Sequence, residues 1–145
     1  MSIPYYKRKL SNIKFLHELF KFNIRLGQIC ENGPKKYRNN YADHIIKTAL
    51  KALQLAQYAN SIYLSKDTTE EEFNERERCF KKAISLVDNI ATTADIYLEF
   101  TRHNGVSNDR VDKREEEIGT TANEIIALLQ GVLKSDKERY KKYKR

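Results

Sequence analysis

Four stretches of this chain place apolar residues at every third or fourth position, and none alternates apolar and polar in the two-residue rhythm of a strand. That spacing limits the chain to helices packed by their stripes. Glycine marks the breaks. Asn32-Gly33-Pro34 reads as a helix end followed by a fresh start, and His103-Asn104-Gly105 as a C-cap. A first helix is expected over 12–30, with Ser11 as N-cap and an apolar set of Phe15, Leu16, Leu19, Phe20, Ile24, Leu26 and Ile29. A second is expected over 36–64, its stripe running Tyr41, Ile45, Ile46, Ala49, Leu50, Leu53, Ala56, Ala59 and Ile62. A third over 69–103 opens with Thr68-Thr69-Glu70-Glu71-Glu72, where either threonine has a Glu three residues on, the signature of a capping box. Its stripe is Phe73, Phe80, Ala83, Ile84, Val87, Ile90, Ala91, Ala94 and Leu98. A fourth over 108–138 takes its N-cap from 107–109 and carries Val111, Ile118, Ala122, Ile125, Ile126, Leu129 and Leu133, interrupted by Gly119 and Gly131. A basic arm (1–11) and a basic tail (139–145) flank these helices. The tail reads either as a frayed end or as a segment that folds on nucleic acid. The expected fold class is all-α, a single up-down-up-down four-helix bundle.

At 145 residues the chain is one domain's worth and needs no covalent staple. The two cysteines, Cys30 and Cys79, are far apart and form no CxxC, so neither a disulfide framework nor a zinc site is expected. No apolar run reaches the roughly 20 residues of a membrane span. The polar, basic start has no apolar core of a signal peptide, and a reducing cytoplasm is the expected location.

Charge is the informative feature. The net charge is +7, but residues 1–51 carry +8, residues 52–133 carry −6 and residues 134–145 carry +5. A basic face attracts polyanions at a sequence-independent level, and an acidic face can meet a basic partner or another copy. The bland alternative is two solvated faces. Three basic clusters stand out: Lys7-Arg8-Lys9 with Lys14; Lys35-Lys36-Tyr37-Arg38; and a tail in which Lys137, Arg139, Lys141 and Lys142 interleave with Tyr140 and Tyr143. Basic residues with interleaved aromatics pair phosphates and stack bases. Lys47 and Lys51, an i, i+4 pair, share one face of the second helix. The candidate nucleic-acid contacts are therefore Lys35, Lys36, Arg38, Lys47 and Lys51, then Lys137, Arg139, Lys141 and Lys142. Arg76 and Arg78 are candidates for partner or subunit contact, or for pairing with Glu72 or Glu75 on their own helix.

Catalytic constellations do not emerge. There is no GxGxxG, P-loop, HExxH or GxSxG. His17, His44 and His103 lie on different expected elements, and Glu115-Glu116-Glu117 splays over about 200° of helix, too wide to converge on one ion. The expectation is a protein that is not an enzyme, with no cofactor and no metal.

Several stretches nevertheless form a pattern. They are Met1-Ser2-Ile3-Pro4 with Lys7-Arg8; Pro34 to Arg38 leading into a helix that ends Ala56-Gln57-Tyr58-Ala59-Asn60-Ser61-Ile62-Tyr63; Glu75 to Ile84; and Glu117 to Asp136 with Ile118-Gly119 and a late Gly131. Together they resemble the accessory variability determinant (Avd) proteins of diversity-generating retroelements, within a wider group of bacterial four-helix-bundle proteins that includes those encoded in intervening sequences of 23S ribosomal RNA genes. The resemblance spans about residues 12 to 136. It implies a homopentameric barrel of bundles with a basic surface. It also implies binding to a reverse transcriptase, its template RNA and the cDNA, in support of mutagenic reverse transcription, with no catalytic centre and no membrane. Two alternatives stay open: an rRNA-associated or plasmid-encoded RNA-binding bundle, and a protein-assembly module without nucleic acid.

Overall fold

The computed structural model describes residues 13–144, without the side chains of Arg38 and Asn39. The basic arm, Ser11 and the Lys7-Arg8-Lys9 cluster lie outside the described residues. Among the described residues four α-helices make up the fold: α1 (Lys14–Glu31), α2 (Asp43–Ser61), α3 (Glu70–His103) and α4 (Asn108–Tyr143). Among the described residues there is no strand. A 3-10 turn (Lys35–Tyr37) and a π-helical turn (Arg38–Ala42) lead into α2, where the sequence suggested one continuous α-helix from 36.

The caps explain where the helices begin and end. Thr69 completes a capping box: its side chain accepts from the Glu72 N–H at 3.1 Å, and the Glu72 carboxylate accepts from the Thr69 N–H. Thr68, the other threonine of the pair, is buried and ties the loop, its hydroxyl donating to the Tyr63 carbonyl at 3.0 Å. Ser107 caps α4 by accepting from the Arg110 N–H. α3 ends in a Schellman motif. The Val106 N–H bonds to the Thr101 carbonyl and the Gly105 N–H to the Arg102 carbonyl, with Gly105 at φ +92°, a conformation glycine adopts without strain.

Gly33 is needed for a different reason from the one its sequence suggests. Its φ is not positive. A Cβ there would overlap the hydroxyl of Tyr97, a fully buried side chain of α3 that donates to the Cys30 carbonyl at the end of α1 at 3.2 Å.

Side-chain pairs fix the topology. Phe15 packs edge-on to Phe80, and Tyr97 meets Cys30, so α1 and α3 run parallel across the core diagonal. Arg25 of α1 reaches Glu117 of α4, and Arg76 at the start of α3 reaches Asp136 late in α4, so both of these pairs are antiparallel. The result is an up-down-up-down four-helix bundle. Its core is layered by heptads: Arg76, Ala83, Ile90 and Tyr97 in one row of α3, Phe80, Val87, Ala94 and Thr101 in the next. α2 offers small residues, Ala49, Ala52, Ala56 and Ala59, all buried, as is Ala42 just before it, which lets it lie close to its neighbours.

Three expected core positions differ. On α1, Phe22 is buried and Ile24 is half exposed; on α2, Ala52 is buried while Ile46 and Leu50 are half exposed. The stripes of α1 and α2 are therefore wider than the core, and their surplus faces solvent. The tail also differs from a frayed end. α4 continues to Tyr143, with Tyr140 stacked on Phe73 (4.2 Å between centroids) and the Lys144 ammonium donating to the Thr68 carbonyl at 2.8 Å.

Candidate nucleic-acid interface

The expected contact residues lie in groups at the two ends of the bundle, with Lys47 and Lys51 between them. Lys35 and Lys36 are exposed on the 3-10 turn. That turn is fixed by Tyr37, which stacks on Phe100 near the end of α3 (4.3 Å, 14° between planes), while Tyr41 packs on the same ring at 5.2 Å. The side chain of Arg38 lies outside the described residues. Lys47 and Lys51 follow on the exposed face of α2. Lys137, Arg139, Lys141 and Lys142 are exposed on the last turns of α4, beside the start of α3. Phe100 and Phe73, the α3 residues that anchor the two groups, are 27 positions apart, which is about 40 Å along a helix. The fold thus sets Lys35 and Lys36 at one end and the α4 cations at the other, with Lys47 and Lys51 along the middle of α2 between them, since His44 meets Asn89 of α3 and Ala59 and Ile62 meet Arg76.

The cations of the bundle divide by their company, and the expected contact residues share theirs with Lys14, Lys66, Lys82, Arg110, Arg114, Lys134 and Lys144, which also make no ion pair among the described residues. Lys21, Arg25, Arg76, Arg78, Lys81, Arg102 and Lys113 all hold carboxylates at 2.7–3.2 Å. Among the described residues, none of Lys35, Lys36, Lys47, Lys51, Lys137, Arg139, Lys141 and Lys142 has such a partner. Lys36 lies over the ring of Tyr37 instead, at 5.6 Å.

Arg76 belongs to the interior, not to a partner surface. It is 7% exposed. Its guanidinium makes a two-bond fork with Asp136 (2.7 and 3.1 Å), donates to the Ala59 and Ile62 carbonyls at the end of α2, and lies over Phe80 at 5.0 Å. One side chain therefore joins the ends of three helices, supplying a donor to the Ile62 carbonyl and a second one to the Ala59 carbonyl, which also accepts the Ile62 N–H at 3.1 Å. Arg78 is exposed and forked onto Glu75 at 2.7 and 3.0 Å, the pairing within the helix that the sequence allowed.

Three further features bear on chemistry. The Glu115-Glu116-Glu117 run splays as its helical spacing requires: Glu117 reaches Arg25, Glu116 is exposed, and Glu115 turns toward Glu99 and Asp95. Burial, then these two carboxylates, push the Glu115 carboxyl above the usual range, and its Oε1 is buried without a hydrogen bond. No group of His, Cys, Asp or Glu among the described residues is arranged to hold a metal ion. Burial raises both thiols, Cys30 to about 11.

Counting charge by segment missed one site. Arg110 and Arg114 lie in the stretch of net −6, yet the fold gathers them with Arg25 and Lys113 around one cleft. Their i, i+4 spacing was the available signal. Among the described residues no helix is long and apolar enough to cross a membrane. No family model matches the chain, and neither a curated protein nor a solved structure does.

Proposed function

We propose that this chain is a non-catalytic nucleic-acid-binding scaffold, in keeping with the Avd-like resemblance: an accessory protein that holds template RNA and cDNA for a reverse transcriptase, at home in the cytoplasm. The observation that carries the reading is the exposure of the expected contact cations without an ion-pair partner among the described residues. Seven other cations are neutralised by carboxylates of the same bundle, while eight of the residues expected to meet phosphate stand exposed without one. Lysine and arginine free of internal partners contribute to polyanion binding by releasing condensed counterions. If all eight engage a single strand, log K falls against log salt with a slope of about −5 to −6.

Self-association accompanies this reading. The half-exposed Ile24, Ile46 and Leu50 form an apolar surplus on α1 and α2 that supports contact with further copies. Five copies of 17.1 kDa would have a mass of about 85 kDa, which light scattering reads directly.

The test is a pull-down of tagged protein from its native host, with and without ribonuclease, reading proteins and RNA together. A reverse transcriptase with one discrete structured RNA supports the proposal. Ribosomal RNA alone moves the chain to the rRNA-associated alternative, and absence of RNA leaves an assembly module. In vitro, charge reversal of Lys47 and Lys51 together weakens RNA binding with helicity intact; unchanged binding removes those two residues from the interface.

A further inference from the structure

Beyond the lysine-rich surfaces, the bundle carries a cleft whose charges are not balanced from within. It opens between the last turns of α1 and the first turns of α4, has a volume of about 650 Å3, and is lined by Arg25, Arg110, Lys113 and Arg114 with Asn32 and Ser107. Two carboxylates, Asp109 and Glu117, also line it. Both are already engaged: Asp109 meets Lys113 at 3.2 Å, and Glu117 accepts the fork of Arg25 at 2.7 and 3.1 Å. Arg110 and Arg114 are left over, one turn apart on the same face of α4, with no carboxylate partner among the described residues.

Their surroundings make this arrangement costly for the free protein. Arg114 is partly buried, and its guanidinium is held below its ordinary pKa by that burial and by the charges of Arg110 and Arg25, which outweigh the opposing pull of Glu117. Three guanidiniums from two helices therefore share one concavity, with an excess of two positive charges over the carboxylates present. Like charges gathered in a concave, partly desolvated place favour whatever anion neutralises them.

The geometry points to a phosphomonoester as the ligand of this cleft. A phosphomonoester carries about −1.5 to −2 charges at pH 7, which matches the excess. A phosphodiester within a nucleic-acid chain carries one, and would leave one arginine unbalanced. Planar guanidiniums take phosphate oxygens two at a time, and the hydroxyl of Ser107 and the amide of Asn32 add neutral hydrogen-bonding groups at the rim. A cleft of this volume has room for a nucleotide beyond its phosphate. The terminal phosphate of an RNA and that of a free nucleotide present the same chemistry here. The inference does not rest on the RNA-binding reading, since it concerns other residues and one phosphate.

The experiment follows amide resonances of the intact protein during titration with inorganic phosphate, AMP and adenosine. Phosphate and AMP should move the resonances of residues 107–114, and adenosine should not. Arg110→Ser, which removes an exposed side chain without a partner, should weaken AMP binding about tenfold, and Arg110→Ser with Arg114→Gln should abolish it. A short RNA with a 5′-phosphate, compared with its 5′-hydroxyl twin, separates the two sources. A preference for the phosphorylated end at least as strong as for AMP indicates an RNA terminus, and binding of AMP without that preference indicates a free nucleotide. Equal shifts with AMP and adenosine, or AMP binding unchanged in Arg110→Ser, would overturn the proposal. Loss of RNA binding on reversing Lys47 and Lys51, with AMP binding intact, would leave it standing.

Discussion

Replacing Asp136 by Asn should destabilise the bundle more than any other single polar substitution on α4. The carboxylate is 3% exposed and takes both arms of the Arg76 fork at 2.7 and 3.1 Å. Asn keeps the shape and removes the charge, so a guanidinium that is 7% exposed stays inside without its counterion. Breaking a buried pair in this way costs about 3–5 kcal/mol. For 145 residues the unfolding entropy at the midpoint is about 0.3 kcal/mol per kelvin, so Tm should fall by about 10–16 °C. Thermal melts followed by circular dichroism at 222 nm measure it. The companion is the double replacement Arg76→Met with Asp136→Leu, which removes both charges together. It should return to within about 2 kcal/mol of the parent, the remainder being the hydrogen bonds lost by the Ala59 and Ile62 carbonyls at about 1 kcal/mol each. A fall of less than about 3 °C for Asp136→Asn would refute the argument, because it would mean the guanidinium reaches water.

Three other outcomes follow from the same structure. Gly33→Ala forces a methyl against the Tyr97 hydroxyl and should cost about 1–3 kcal/mol by urea denaturation, and that cost should shrink when Tyr97→Phe removes the hydroxyl; equal costs in the two backgrounds would deny the contact. Glu115 has a raised folded pKa, so its contribution to stability is complete below the ordinary carboxylate range and is lost as pH rises through the raised value; Glu115→Gln should therefore raise Tm over the parent at about pH 7 and not at about pH 4. A gain of the same size at both would show that charge is not the cause. Cys30 and Cys79 are buried with raised pKa values, so a thiol reagent at about pH 8 should label the native protein slowly and label both sites at once in denaturant; rapid labelling of the native protein would contradict their burial.

What could be read from the sequence was local. Thr69 with Glu72, Ser107, and the turn through Gly105 are interactions between residues within five positions, and each is found where the pattern put it. What could not be read depends on partners far along the chain. Arg76 looks like a surface arginine among glutamates until Asp136, 60 residues later, is folded against it. Ile24 and Phe22 are equally apolar, and only the placement of the neighbouring helices decides that Phe22 goes in, on the side of Ile118, and Ile24 stays out. Segment-wise charge counts concealed the cleft, because Arg25 lies in the basic stretch and Arg110 and Arg114 in the acidic one. The composition of the tail is equally compatible with a frayed end, and its order comes from distant residues, Phe73 of α3 and Thr68 in the loop before it.

The anchoring of the last turns of α4 changes the thermodynamics of any encounter there. Ordering a loose residue costs about 1–2 kcal/mol of backbone entropy. Arg139 to Tyr143 are helical already, so a polyanion arriving at Lys137, Lys141 and Lys142 meets charges at fixed spacing, one turn of about 5.4 Å between the first two. Almost none of the attraction is then consumed in ordering the chain. Binding at this end should show a small heat-capacity change and fast, salt-sensitive association, the kinetics of a rigid charged rod meeting its counterpart rather than of a strand that folds around it.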